Sequence, residues 1–209
     1  GVAFVFSMVT GIVLGIIAAL SKRQWVQNSV MIFATVGVSV PSFLYALMLM
    51  TVFGVILQWL PFIGLKTPLH YILPAFSLSL YPISMVAHLV RSSMTEAMKQ
   101  DYMVLAKSKG TSPIKLIVKH ALKNCLIPVV TYAGPLVAYL MTGSFVIESI
   151  FSIPGLGGEF VTSVTNRDYP LIMALTIFFG AFIIFTNLVS DLLTAMIDPR
   201  IKLEKRKAA

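Results

Sequence analysis

Residues 101–124 read DYMVLAKSKGTSPIKLIVKHALKN, a stretch with five lysines, one histidine and one acid in a chain that is 57% hydrophobic. Upstream and within it, Met98, Tyr102 and Leu105 recur at i, i+4 and i+7, which predicts an amphipathic helix over 94–109. Gly110 stands where such a helix would stop in the left-handed conformation. Thr111 or Ser112 can cap the next helix, and Pro113 suits its first position. In that second helix Lys115, Lys119 and Lys123 share one face, while Ile114, Ile117 and Ala121 share another. The order helix, sharp turn, helix describes a stiff basic object rather than a tether.

What surrounds this object is a membrane protein. The chain of 209 residues is 11% charged with a mean hydropathy of +0.89, against about 25% charged residues in soluble domains. Lys, Arg, Asp and Glu are absent from windows 1–21, 24–65, 67–90, 124–147 and 169–190. A spanning helix needs about 20 mostly apolar residues. The windows therefore predict an all-α fold with five spans, at about 1–20, 29–57, 69–92, 122–146 and 169–194. Pro41 predicts a kink in the second, because it removes a backbone donor and clashes with the preceding turn. Of 16 Lys and Arg, 14 fall at Lys22–Arg23, between Arg91 and Lys123, or after Pro199, leaving Lys66 and Arg167 opposite. The positive-inside rule places the 14 in the cytoplasm. The chain then ends inside with a basic tail over 200–209, and 101–124 is the main cytoplasmic loop. The net charge of +8 is thereby explained by topology, and no nucleic-acid partner is expected. The single Cys125 excludes an intrachain disulfide framework and a cysteine-based zinc site.

The loop resembles the cytoplasmic loop of binding-protein-dependent ABC importer permeases, in particular the oligopeptide, dipeptide and nickel branch. The residues carrying the resemblance are Asp101–Tyr102, Ala106, Lys109–Gly110, His120–Ala121–Leu122, Asn124, Pro128 and Val129–Val130–Thr131. Three other segments are similar to the same branch: VIESIFSIPGLGGEF (146–160), RDYP (167–170) and SDLLTAMIDPRI (190–201). The first of these segments, at 148–157, points to the first, B-type, permease subunit. Where the general importer pattern has Glu-Ala-Ala ahead of the glycine, this chain has Val104–Leu105–Ala106, a departure usual in the peptide branch. The family carries a further N-terminal span, so 1–199 is expected to be a six-span type I transmembrane domain lacking its first span.

The resemblance implies a transport subunit with a second, C-type permease, two ATPase subunits and an extracytoplasmic binding protein as partners, in a bacterial or archaeal cell membrane. ATP and Mg would sit on the partner ATPases, with no cofactor, metal or catalytic residue here. The loop would dock in an ATPase groove through Asp101, Tyr102, Leu105, Ala106, Lys109, Gly110, Thr111 and Pro113. Peptides are the expected solute, with nickel or another small solute as the alternative; no substrate residue can be picked. Glu148, with Pro154, Gly155 and Gly157, forms a candidate outer gate or subunit contact, since acids at membrane depth are costly and often functional. Asp168 and Asp191 are further interfacial acids, the latter expected to partner a cytoplasmic Lys or Arg. His70, His88 and His120 lack metal-ligand spacing, and no P-loop pattern occurs. A secondary transporter would call for charges at mid-depth, and an intramembrane protease for a base matched to Ser144; neither is found.

Overall fold

The computed structural model describes residues 1–141 and 145–197, and over these the chain is helical without strands. The elements are α1 (Val2–Leu20), α2 (Gln24–Ser39), α3 (Ser42–Leu49), α4 (Ile72–Ala97), α5 (Asp101–Ser108), α6 (Pro113–Lys115), α7 (Leu122–Cys125), α8 (Ile127–Met141), α9 (Phe145–Ile150), α10 (Leu156–Thr165) and α11 (Tyr169–Ile197). α1, α4 with its 3-10 lead-in from Pro68, and α11 are each long and apolar enough to cross a bilayer. Two bent pairs bring the total to as many as five. The predicted tail at 200–209, Ser144 and the last part of the 190–201 segment lie outside the described residues.

The predicted second span is not one kinked helix. Gln24–Ser39 and Ser42–Ile56 meet at 101°. Pro41 denies the ladder a donor, and Val40 leaves the helical region at φ −98°, ψ 127°. The Val36 carbonyl accepts from Val40 N–H and from the Tyr45 hydroxyl at 2.8 Å, which ties the two arms across the break. The second arm ends in a π-helical segment, Met50–Ile56. The fourth span is also bent, by 46°, between Pro113–Cys125 and Ile127–Met141. The predicted helix over 94–109 is interrupted too: α4 stops at Ala97 and α5 begins at Asp101.

α4 is the central post. Without a hydrophobic force between helices in lipid, close approach of backbones does the work, and small residues permit it. Gly11 and Gly15 of α1 lie against Val86 and Val90 of α4, so near that a Cβ on Gly15 would come 2.6 Å from the Val90 Cβ. The stretch G-I-V-L-G at 11–15 is a G-x-x-x-G pattern. Gly134 of α8 meets Ser190 of α11 in the same manner. There the Ser190 hydroxyl donates to the Val130 and Thr131 carbonyls at 2.7 and 3.0 Å, and Thr131 bonds Thr194 at 3.0 Å. Apolar side chains gather at two ends. One cluster joins Val90, Met94 and Ala97 to Met103, Ala106, Leu116, Ala121 and Cys125. The other joins Ala46, Leu73, Ile147 and Phe151.

Candidate functional site

The knob predicted at 101–124 is built from α5, a turn, and the run α6, Leu116–Ala121, α7. Asp101 lies in the first turn of α5 and Lys107 in its last, each complementing the helix dipole. At the C-terminus Gly110 N–H donates to Lys107 O at 3.0 Å and Thr111 N–H to Ala106 O at 3.3 Å. These are the two bonds of a Schellman motif, with Gly110 at φ +74°, a conformation an L side chain avoids. Ser112 takes the N-cap position of the next helix with no side-chain cap bond, and Pro113 stands at its first turn. The Tyr102 hydroxyl accepts from Asn124 Nδ2 at 2.9 Å, pinning α5 to α7.

The apolar faces differ from expectation. Met98 and Leu105 are exposed, and the buried residues of α5 are Met103 and Ala106. Ile114 is 76% exposed, while Leu116 and Ala121 are buried. The cause is a π-helical stretch over Leu116–Ala121, whose wider turn brings residues five apart onto one side. The register therefore runs Leu116, Ala121, Cys125, Val129. Val104, Leu105, Ile114 and Val118 are left exposed around the turn. This is an apolar tip on a polar, lysine-bearing loop, the kind of patch that marks a protein contact. Asp101, Lys109 and Pro113 are exposed, with Tyr102 and Thr111 partly so. A Cβ on Gly110 would meet nothing within 4 Å, so the space above it is open to a partner.

At the other end Glu148, Gly155 and Gly157 come together. α9 ends in another Schellman pair, Ile153 N–H to Glu148 O and Ser152 N–H to Ser149 O, with Ser152 at φ +51°. The chain then reverses through Pro154 so that α10 starts over the Glu148 side chain. Glu148 Oε2 accepts from Gly158 N–H at 2.8 Å. Gly155 is the N-cap of α10 and has no side chain to offer, so the carboxylate of Glu148 supplies the missing acceptor to the third residue of the helix. A Cβ on Gly155 would come 2.5 Å from Glu148 Cδ, and one on Gly157 2.9 Å from Oε2. The glycines thus exist to admit the carboxylate. Pro154 is exposed in the link between α9 and α10. Gly64 N–H donates to Phe151 O at 2.8 Å, tying the 59–67 loop to the same turn.

Asp168 proves to be a helix cap: its Oδ1 accepts from Leu171 N–H at 3.2 Å at the start of α11. Asp191 is exposed on α11, and the basic tail that could face it lies outside the described residues. Among the described residues no three His, Cys, Asp or Glu side chains are placed to share a metal ion. Sequence reading missed the Tyr81–Tyr139 pair, whose ring centroids are 5.9 Å apart between α4 and α8. Nothing in the local sequence joins residues so distant.

The model of the family described as "Binding-protein-dependent transport system inner membrane component" matches residues 11–203. Over 98% of its length the chain is 46% identical to a dipeptide transport system permease protein of Bacillus subtilis, of which it covers 66%. It is 41% identical over 96% of its length to an oligopeptide transport system permease protein of Haemophilus influenzae, covering 66% of that protein. It is 40% identical over 96% of its length to a glutathione transport system permease protein of Salmonella typhimurium, covering 65%. The chain thus spans just under two thirds of the length of these curated relatives. Its fold is similar to a chain in an inward-facing structure of the MetNI methionine ABC transporter, with a TM-score of 0.75 at 15% identity, covering 94% of this chain and 90% of that one.

Proposed function

We propose, from the premise that the chain belongs to the family of binding-protein-dependent transport system inner membrane components, that it forms half of the membrane pathway of an ATP-driven peptide importer. The relatives are permeases of dipeptide, oligopeptide and glutathione systems, which supports a short peptide as cargo over nickel. The partners are a second permease, two ATPase subunits that hold ATP and Mg, and an extracytoplasmic binding protein. We infer that Gly110 and the C-terminus face the cytoplasm, which the charge split supports.

One observation carries this reading. The knob closes on a glycine at φ +74°, is stapled to the bundle through Met103 and Ala106, and holds an apolar tip clear of the rest of the chain. A stiff lever with an apolar tip transmits displacement from a partner, and a floppy loop would absorb it. ATP-driven closure of the ATPases would then rock the helices about α4, to which both the knob and α1 are packed.

The test is uptake into proteoliposomes that contain the full complex. Labelled dipeptide should accumulate only with binding protein outside and ATP inside, and an ion gradient without ATP should give nothing. Uptake driven by the gradient alone would assign the chain to secondary transport instead.

A further inference from the structure

α4 buries Ile83, Val86, Val90, Met94 and Ala97, yet a second face of it stays open. Tyr81, Met85, His88, Ser92, Thr95 and Lys99 follow one another at alternating steps of four and three, all partly or fully exposed. That spacing places the first five on one stripe of α4, and Lys99 lies in the turn just past its end. From Tyr81 to the helix end the stripe runs roughly 24 Å at ~1.5 Å per residue. At its upper end Tyr81 stacks obliquely on Tyr139 of α8, about half way along α4. At its lower end His88, Arg91, Ser92, Thr95, Glu96 and Lys99 line an open cavity of about 430 Å³. Three of these six can carry positive charge and one is acidic.

Lipid is a poor neighbour for such a face. The Thr95 hydroxyl is satisfied by the Arg91 carbonyl at 2.7 Å, but imidazole and guanidinium groups against hydrocarbon forfeit their hydrogen bonds, so polar stripes on spans face water or protein. A lipid phosphate at the membrane surface could satisfy Lys99 and Arg91. In the same cavity it would also meet Ser92 and His88, but it would not reach Tyr81, roughly 10 Å further along the stripe. A water-filled passage satisfies all of them. Its lower wall is predominantly basic, and the complementary group on a short peptide is its terminal carboxylate.

We infer that the Tyr81–Thr95 stripe of α4, with Lys99 in the turn after it and Tyr139 of α8, lines the passage for cargo, and that His88 and Arg91 receive the carboxylate end of the peptide as it leaves toward the cytoplasm. This rests on the transport function proposed above. Met85 and the Tyr81–Tyr139 pair offer apolar and aromatic surface to side chains of varied kind, while the basic groups recognise what every free peptide shares.

The experiment uses the complete importer in proteoliposomes with one tripeptide in two forms, free carboxylate and C-terminal amide. Uptake is compared between the wild type and Arg91→Gln with His88→Gln. Since the same binding protein delivers both, its preference cancels in the comparison. Losing a charge-assisted contact should lower the carboxylate-to-amide ratio about five- to ten-fold. Thr95→Glu, which adds an acid at an exposed position of the stripe, should lower it as well, and serves if the double variant fails to assemble. A water-soluble thiol reagent on the cytoplasmic side should label Thr95→Cys, with labelling slowed by peptide during turnover. Equal loss for both peptides, or no change in the ratio, overturns the inference. So does labelling of Thr95→Cys by membrane-dissolved reagents alone, which would make the stripe a lipid contact. Failure of the wild-type complex to import either peptide with ATP is a separate result: it removes the transport function and this inference with it.

Discussion

Gly110→Val should leave the protein inserted in the membrane and reduce ATP-driven uptake to below about a tenth of wild type. Gly110 sits at φ +74°, where a non-glycine residue costs roughly 1–2 kcal/mol and a β-branched one more. The chain itself has room for the side chain, since nothing lies within 4 Å of a Cβ placed there. The damage is therefore to the turn and to whatever approaches it from outside. Refusing the left-handed angle unmakes the bonds from Gly110 and Thr111 to Lys107 and Ala106, and α5 then swings relative to α6. The spans are untouched, so membrane levels should match wild type. The paired measurement is subunit abundance in membranes and peptide uptake in the same cells. Wild-type uptake by the variant would reduce the loop to a topology marker.

The second large effect is expected at Gly155. Its backbone is extended, at φ −153° and ψ 161°, so alanine is free of backbone strain there. The obstacle is the carboxylate, 2.5 Å from a Cβ at Cδ. Gly155→Ala should turn the mobile carboxylate end of Glu148 aside and release it from Gly158, at about 0.5–2 kcal/mol for the lost cap. Glu148→Ala alone loses the acceptor that caps α10. In the double variant the clash is gone, so Gly155→Ala should be far better tolerated than in the parent. A coupling of about 1–2 kcal/mol is expected from thermal unfolding of the detergent-purified complex. Strict additivity would mean that the glycine is there for another reason.

Much of this was legible in the sequence because it depends on local chemistry. Gly110 followed by Pro113 can hardly be anything but a helix stop and a helix start, and both stand where the residues put them. Glu148 with Gly155 and Gly157 was readable as a group, though not as a carboxylate lying in the gap that the glycines leave. Charge-free windows located α1, α4 and α11, because a bilayer enforces length and polarity directly. What failed depends on geometry that no single window carries. Pro41 predicts a disturbance, but its angle is set by how α3 packs on α4 and by the Tyr45–Val36 bond. The π-helical turn over Leu116–Ala121 moved Ile114 outward and Leu116 inward, and a strict 3.6-residue period cannot anticipate that. The break at 98–100 separated two helices whose apolar residues happen to continue one pattern. The Tyr81–Tyr139 contact joins residues 58 positions apart and leaves no local trace.

The docking of the knob can be measured directly. Leu105 is 56% exposed on the apolar tip beside the turn. A photo-crosslinking amino acid placed there, activated in membranes containing the complete complex, should join this chain to an ATPase subunit. The same group at Val161, on α10 at the opposite end of the bundle, should not. Crosslinks from position 105 to lipid or to this chain alone, in a complex that still imports peptide, would contradict the coupling role of residues 101–113.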